Sequence, residues 1–244
     1  HVIFQCPNEL GKGVLVSPTV HGNLIVGPDA VPVTGDDTSC TSKGLEFVKT
    51  TAQRSVPSIN FGESIRNFAG VRANLDVDDF IIGEDEKAPG WIDLAGMKSP
   101  GLSAAPAVAE EAVAILKDRG VLGAEKADYK DGRRHIRFKE LSAEEKAALV
   151  KEQPAYGRVI CRCETITEGE ILAALHSEVP ATTIDGVKRR AGAGMGRCQG
   201  GFCGPRVLEL ISRELGMSPL DILQDKNGSN VLVSETKVGG KSNG

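Results

Sequence analysis

Four of the six cysteines stand in two close pairs, Cys161-Arg162-Cys163 and Cys198-Gln199-Gly200-Gly201-Phe202-Cys203, and no other feature limits the fold as much. A C-x-C pair does not readily bridge itself, because residues two apart in an extended chain project to one side at the wrong spacing for a disulfide. It can place two thiolates on one soft metal centre. Between the pairs, Thr167-Glu168-Gly169-Glu170 reads as a capping box that starts a helix over Ile171 to Ser177. After Cys203, Gly204-Pro205 sets proline at a first helical position, and Val207, Leu208, Ile211 and Leu215 recur at helical spacing. Cys203 then falls at a helix N-terminus, where the dipole and free N–H groups favour negative charge, so a depressed thiol pKa is expected. Gly192, Gly194, Gly196, Gly200 and Gly201 let the backbone bend close and aim N–H groups at sulfur.

Spacing alone leads to a metal or cluster centre. An anionic iron–sulfur cluster suits the helix N-terminus, and a structural zinc site with four cysteine ligands uses the same donors. A disulfide framework is disfavoured, because six cysteines in 244 residues are sparse and no signal peptide stands at the N-terminus. The net charge of -4 gives no general drive towards nucleic acid, and one Trp, two Tyr and seven Phe are too few for a base-stacking platform. No apolar run approaches a membrane span, so a cytoplasmic location is expected, with peripheral membrane association through a partner as a further option. The chain opens at His1, almost inside a strand-like run, and reads as an excised fragment of a longer protein.

In order, Val2 to Gln5, Gly13 to Ser17 and Asn23 to Val26 are β-rich runs separated by turns, which predict an antiparallel meander. Thr41-Ser42 caps a helix over Leu45 to Arg54. Strand is expected again at Ile65 to Leu75, Phe80 to Gly83 and Trp91 to Leu94, with Glu84-Asp85-Glu86 as a solvated turn. Ser103-Ala104-Ala105-Pro106 opens an amphipathic helix with Val108, Ala112, Ile115 and Leu116 on one face. Gly120 to Arg137 reads as linker, and Ser142-Ala143-Glu144-Glu145 as a second capping box, for a helix to about Lys151. Beyond Pro219 a short helix, a strand-like Asn230 to Val233 and a disordered Gly/Ser/Lys tail are expected. The fold class is α+β.

The run from Cys161 to Thr167, followed by Arg189 to Cys203 with its glycine-rich approach, closely resembles the bacterioferritin-associated-ferredoxin-like 2Fe–2S domain. It is most similar to the version appended to flavin dehydrogenases of the anaerobic glycerol-3-phosphate dehydrogenase type, which carries C-x4-C where the smaller ferredoxins close with C-x2-C. Gly11 to Thr19, Gly22 to Pro28 and Phe68-Ala69-Gly70-Val71-Arg72 resemble the substrate half of FAD-dependent oxidoreductases of the D-amino-acid oxidase superfamily. Ser99-Pro100-Gly101-Leu102-Ser103 is similar to that superfamily's last flavin-contacting segment. The superfamily binds FAD chiefly through a strand–GxGxxG–helix unit, and no such unit is present. Gly192-Ala193-Gly194-Met195-Gly196 lies among the cysteines and fails the spacing.

These resemblances imply a division into an oxidoreductase fragment at 1–118, a linker with a short helix at 119–155, a BFD-like 2Fe–2S domain at 156–216 and a C-terminal extension at 217–244. They imply Cys161, Cys163, Cys198 and Cys203 as ligands of a 2Fe–2S cluster, with zinc or an empty site after aerobic purification. Ser99, Gly101, Leu102 and Ser103 are implied as flavin-contacting residues of a full-length parent that alone holds FAD. Arg72 is implied as the residue holding the anionic end of a small hydroxy substrate, because its planar fork matches carboxylate or phosphate. His21 and His1 are candidates for taking the hydroxyl proton, although a turn or surface histidine is the plainer account of each. Lys12 is a candidate anion partner, and Cys6 and Cys40 read as small buried hydrophobes. The implied activity is oxidation of glycerol 3-phosphate or a 2-hydroxy acid, with electrons leaving through the cluster to a quinone or another protein. The competing reading is a zinc-binding docking module without catalysis of its own.

Overall fold

The computed structural model describes residues 1–7, 13–129 and 135–236, and the chain divides into two units, His1–Asp131 and Gly132–Gly244. In the first unit, β1 (Leu15–Pro18) pairs antiparallel with β2 (Leu24–Gly27), Val16 opposite Val26. The β-branched residues of this hairpin turn one face to α1 (Ser42–Ser55), and Val14, Val16 and Ala52 are buried together there. Thr41 caps α1 as expected, its hydroxyl accepting from the Gly44 N–H at 3.1 Å. A second hairpin, β3 (Ile81–Glu84) with β4 (Ile92–Ala95), packs against α2 (Gly101–Asp118). Val108 is buried and Ala112, Ile115 and Leu116 are half-buried along the face read from their spacing. Asp85 closes the β3–β4 turn by accepting from the N–H groups of Lys87 and Ala88, while Glu84 belongs to the strand and pairs with Arg119.

Several expectations for this unit need correction. Val2 to Gln5 forms no strand; a bridge between Ile3 and Val16 is what remains of the third member of the meander. Ile65 to Leu75 is irregular: Val71, Ala73 and Leu75 alternate with polar residues, but among the described residues no neighbouring edge pairs with the segment. Helix α2 begins at Gly101 rather than Ser103, so Pro106 is its sixth residue, past the first turn of orphan N–H groups, and takes one backbone donor out of the helix. Cys6 and Cys40 are exposed, not buried, since the small core of this unit closes without them. Lys12 lies outside the described residues.

The second unit is built on two capping boxes. Ser142 starts α3 (Ala143–Glu152) and Thr167 starts α4 (Glu168–Leu175), each with its glutamate reaching back to the cap N–H. Buried Glu170 closes the second box with one oxygen, and its other oxygen accepts from the Phe138 N–H at 3.2 Å. Phe138 in turn stacks on Tyr156, with ring centroids 6.4 Å apart, so residues 138–157 are packed onto this unit. A short ladder of β5 (Val159–Cys161) with β6 (Ile166–Thr167) brings the first cysteine pair to the start of α4. Two further helices follow, α5 (Ile184–Ala191) and α6 (Gly204–Leu215). Ile171, Leu175, Val187, Val207 and Ile211 fill the core between the three helices.

No pattern in the sequence announces helix α5, yet Thr183 caps it by accepting from the Gly186 N–H, and Gly192 ends it in the left-handed region at φ 85. Among the described residues after α6, no helix follows Pro219. Leu223 and Gln224 instead offer their carbonyls to the N–H groups of Ile184 and Asp185, which completes the start of α5. Asn230 to Val233 forms a bridge to Leu223 rather than a strand. The expected tail from residue 237 onward lies outside the described residues.

Candidate metal centre

The β5–β6 ladder carries Cys161 and Cys163, and the turn between α5 and α6 carries Cys198 and Cys203, so folding of the helices sets the two loops side by side. All six cysteines are free thiols. Cys163 donates to Cys198 at an Sγ–Sγ distance of 3.5 Å, and buried Cys161 neighbours buried Cys203. The four sulfurs therefore stand as two thiol pairs. Among the described residues, no three of His, Cys, Asp or Glu are drawn together at metal-ligand distances.

The Phe202 N–H, then the Cys163 thiol, then the N–H groups of Gly200 and Gly201 hold the Cys198 thiol below its ordinary value. Donating to Cys198 holds Cys163 above its own. Burial pushes Cys203 up to about 12, with the neighbouring Cys161 adding to the shift. This reverses the depression expected for a helix N-terminus: Cys203 is 2 % exposed, and desolvation outweighs the dipole. Gly196 is set against the first loop so closely that a Cβ there would stand 2.3 Å from the Cys163 Cβ. Four soft donors on two loops, with backbone N–H groups turned onto sulfur, fit a four-thiolate centre of the 2Fe–2S or zinc kind. Beside Cys203 lies a cavity of about 80 Å³, walled by Asp185, Lys188, Gly194, Gly200 and Gln224. Lys188 pairs there with Asp185 at 2.9 Å, a buried ion pair that nothing in the cysteine spacing announces.

A different site lies in the first unit. Arg72 and Ser99, far apart in sequence, line one open hollow of about 440 Å³ with Ala73, Gly96, Met97 and Lys98. Gly101, Leu102 and Ser103 form the first turn of α2 just after it, where Leu102 is 91 % exposed and Ser103 donates to the Pro100 carbonyl. Lys98, which no motif marks in the sequence, holds a left-handed backbone at φ 48 and pairs with Asp78 at 3.3 Å. His21 sits exposed in the β1–β2 turn and is not among the residues lining the hollow, and His1 is exposed. For FAD the fit is incomplete. The hollow and a helix N-terminus are present, but the described residues contain no strand–glycine–helix cradle for a pyrophosphate. Among the described residues no helix is long and apolar enough to cross a membrane.

Residues 1–115 match the family described as FAD dependent oxidoreductase, and residues 159–213 match the BFD-like [2Fe-2S] binding domain. The chain is 52 % identical over 240 residues to a glycerol 3-phosphate dehydrogenase of Caloramator mitchellensis, an alignment covering 97 % of this chain and 50 % of the relative. It is 42 % identical over 118 residues to a glycerol 3-phosphate oxidase of Mycoplasma genitalium, covering 47 % of this chain and 31 % of that protein. It is 33 % identical over 66 residues to one of the subunits of the anaerobic glycerol-3-phosphate dehydrogenase of Escherichia coli, covering 27 % and 12 % respectively. The chain thus spans about half the length, or less, of these relatives. No solved structure matches it.

Proposed function

We propose that this chain, which joins a segment of the FAD dependent oxidoreductase family to a BFD-like 2Fe–2S binding domain, supplies the substrate side and the electron exit of a flavin-dependent dehydrogenase. The substrate is glycerol 3-phosphate or a 2-hydroxy acid, and the electron acceptor is a quinone or a protein. Similarity to a glycerol 3-phosphate dehydrogenase along 97 % of the chain carries this reading. Arg72 in the hollow beside Ser99 supports it, because a guanidinium there binds an anionic substrate end next to the segment that resembles a flavin contact. The first unit also leaves Phe68, Trp91 and Leu102 exposed, at 69, 64 and 91 %, which suits burial against a dinucleotide-binding unit.

Cys161, Cys163, Cys198 and Cys203 hold the cluster, which when bound passes electrons singly. The N–H groups on Cys198 favour its thiolate, and the burial of Cys161 and Cys203 keeps water from half of the centre. Six free thiols suit a reducing, cytoplasmic compartment. The test is anaerobic reconstitution of the chain and of six single Cys→Ser variants, measuring iron, sulfide and visible absorption. Loss of colour in the four paired-cysteine variants, with retention in Cys6→Ser and Cys40→Ser, is expected. Stoichiometric zinc, with no iron taken up and no visible band, would overturn the electron-exit reading in favour of a zinc docking module.

A further inference from the structure

The loop bearing the second cysteine pair turns its backbone inward and its side chains outward. The Phe202 N–H is the foremost group lowering the Cys198 thiol, while the Phe202 side chain is 87 % exposed; Met195, on the approach to the same loop, is 58 % exposed. A phenylalanine left in water forgoes the free energy of apolar burial, and lowering the neighbouring thiol needs only a backbone N–H. Packing within the loop therefore gives no reason for an aromatic side chain here.

The charges around it are equally distinctive. Arg162, between the first two cysteines, and Arg197, next to Cys198, are exposed, and neither has a hydrogen-bond or ion-pair partner among the described residues. Arg158, Arg189, Arg206 and Arg213 in the same unit are held by carboxylates, whereas exposed Arg190 at the end of α5 is, like Arg162 and Arg197, without one among the described residues. Glu164, the acid nearest Cys163 in sequence, is engaged by Lys139 at 3.6 Å. Arg162 and Arg197 thus adjoin in sequence two thiols, Cys163 and Cys198, whose sulfurs are 3.5 Å apart, and Met195 and Phe202 belong to the loop that carries the second of them.

Resting on the reading of the four thiols as a redox centre, we propose that this face docks an electron-accepting protein through an acidic surface. Phe202 and Met195 form the apolar centre of the contact, and Arg162 and Arg197 its charged rim. A second copy of the chain is a poor occupant, because an isologous contact sets these arginines against the same arginines. An anionic bilayer is the other occupant that the test must separate.

The experiment uses the full chain, iron-loaded anaerobically, with a flavodoxin as the acidic probe and binding followed by calorimetry. The face variants are Arg162→Glu/Arg197→Glu and Phe202→Ser; Lys87→Glu/Lys151→Glu makes the same charge change at residues outside the cysteine loops. Both face variants are expected to raise Kd about tenfold or more, the control about twofold or less, and added salt is expected to weaken wild-type binding. The visible band and far-UV dichroism, unchanged in each variant, establish that the domain is intact. Absence of wild-type binding, equal weakening by the control, or wild-type affinity in Phe202→Ser overturns the docking face. So does binding to phosphatidylglycerol vesicles, lost in both face variants, in place of binding to flavodoxin. A chain that takes up only zinc yet shows the expected pattern removes the redox reading and keeps the face; a cluster-loaded chain without the pattern removes the face alone.

Discussion

Gly169 lies against the ring of Tyr156 so closely that a Cβ on it would stand 2.5 Å from Tyr156 Cδ2. Tyr156 is 4 % exposed and stacked on Phe138, so its ring cannot swing aside without opening that contact. In an unobstructed helix, Gly→Ala adds up to about 1 kcal/mol of stability. At this position overpacking outweighs the propensity gain, and Gly169→Ala is expected to destabilise the second unit by about 1–3 kcal/mol. Urea unfolding of Gly169→Ala in wild-type and Tyr156→Leu backgrounds checks this. The cost should shrink when the ring is removed, and equal costs would mean that the contact is not what forbids alanine.

Buried Glu168 is held by two arginines, Arg158 and Arg213, the latter at 2.7 Å, and Arg158 foremost lowers its carboxyl to about 2 from an ordinary 4.5. A depressed carboxyl stabilises the fold fully above its unfolded value, and that contribution is lost as pH falls from about 4.5 towards about 2. The arginine side chains are 58 % exposed, so solvent screening limits the contribution to about 1–2 kcal/mol. Glu168→Gln should flatten the stability profile in this window relative to wild type. A parallel acid limb in the variant would assign the pH dependence to other carboxylates.

Gly196→Ala is expected to disturb the centre while leaving the helices in place. Its Cβ would stand 2.3 Å from the Cys163 Cβ and 3.0 Å from Glu164 Oε1, so the exposed first-loop thiol must yield rather than the buried one. Iron uptake at a fixed time should fall several-fold, with far-UV dichroism unchanged. Full loading at the wild-type rate would show that the first loop adapts freely.

The capping boxes, the α6 stripe and the pairing of the cysteines are legible because each is a short-range pattern: Thr167 and Glu170, or Val207 and Ile211, declare themselves within one or two turns. What escapes depends on long-range partners. Helix α5 is short and polar, and its first turn is satisfied by Leu223 and Gln224 from beyond α6, which no local pattern reveals. The thiol pKa of Cys203 departs from its expected direction for the same reason: burial in the core of the second unit, invisible in C-x4-C, outweighs the helix end that the sequence does show. Ile65 to Leu75 has strand-forming residues but no edge to join, and strand propensity does not act without a partner. Arg72 and Ser99 each stand out in the sequence, while their meeting in one hollow, with Lys98 beside them, follows from the packing of the β3–β4 hairpin region.

Arg72→Ala, made in a protein that carries this chain together with a dinucleotide-binding unit, should raise KM for glycerol 3-phosphate by about tenfold or more with a smaller effect on kcat. Thermal stability should be nearly unchanged, since Arg72 is exposed. Unchanged kinetics would remove Arg72 from the substrate site.

Ile222 is 0 % exposed in the same core as Ile171 and Ile211, although it lies outside residues 159–213, which match the 2Fe–2S family. The carbonyls of Leu223 and Gln224 accept from the first N–H groups of α5, and Gln224 Nε2 donates to Asp185 at 2.8 Å. Asp225 adds an ion pair to Arg189 one turn further along α5. This segment therefore fixes the helix that leads into the glycine run and the second cysteine pair, and Ile222 is its apolar anchor. Ile222→Ala should cost about 2–4 kcal/mol, from lost burial plus the cavity left between α4, α5 and α6. Because metal binding and folding are linked in so small a domain, the same variant should release iron to a chelator faster than wild type. Arg189→Ala, which removes only the exposed ion pair, should cost less than about 1 kcal/mol and leave iron release unchanged. Chelator kinetics and urea unfolding on the two variants separate the roles; equal effects would mean that the segment is held by its surface charges rather than by its place in the core.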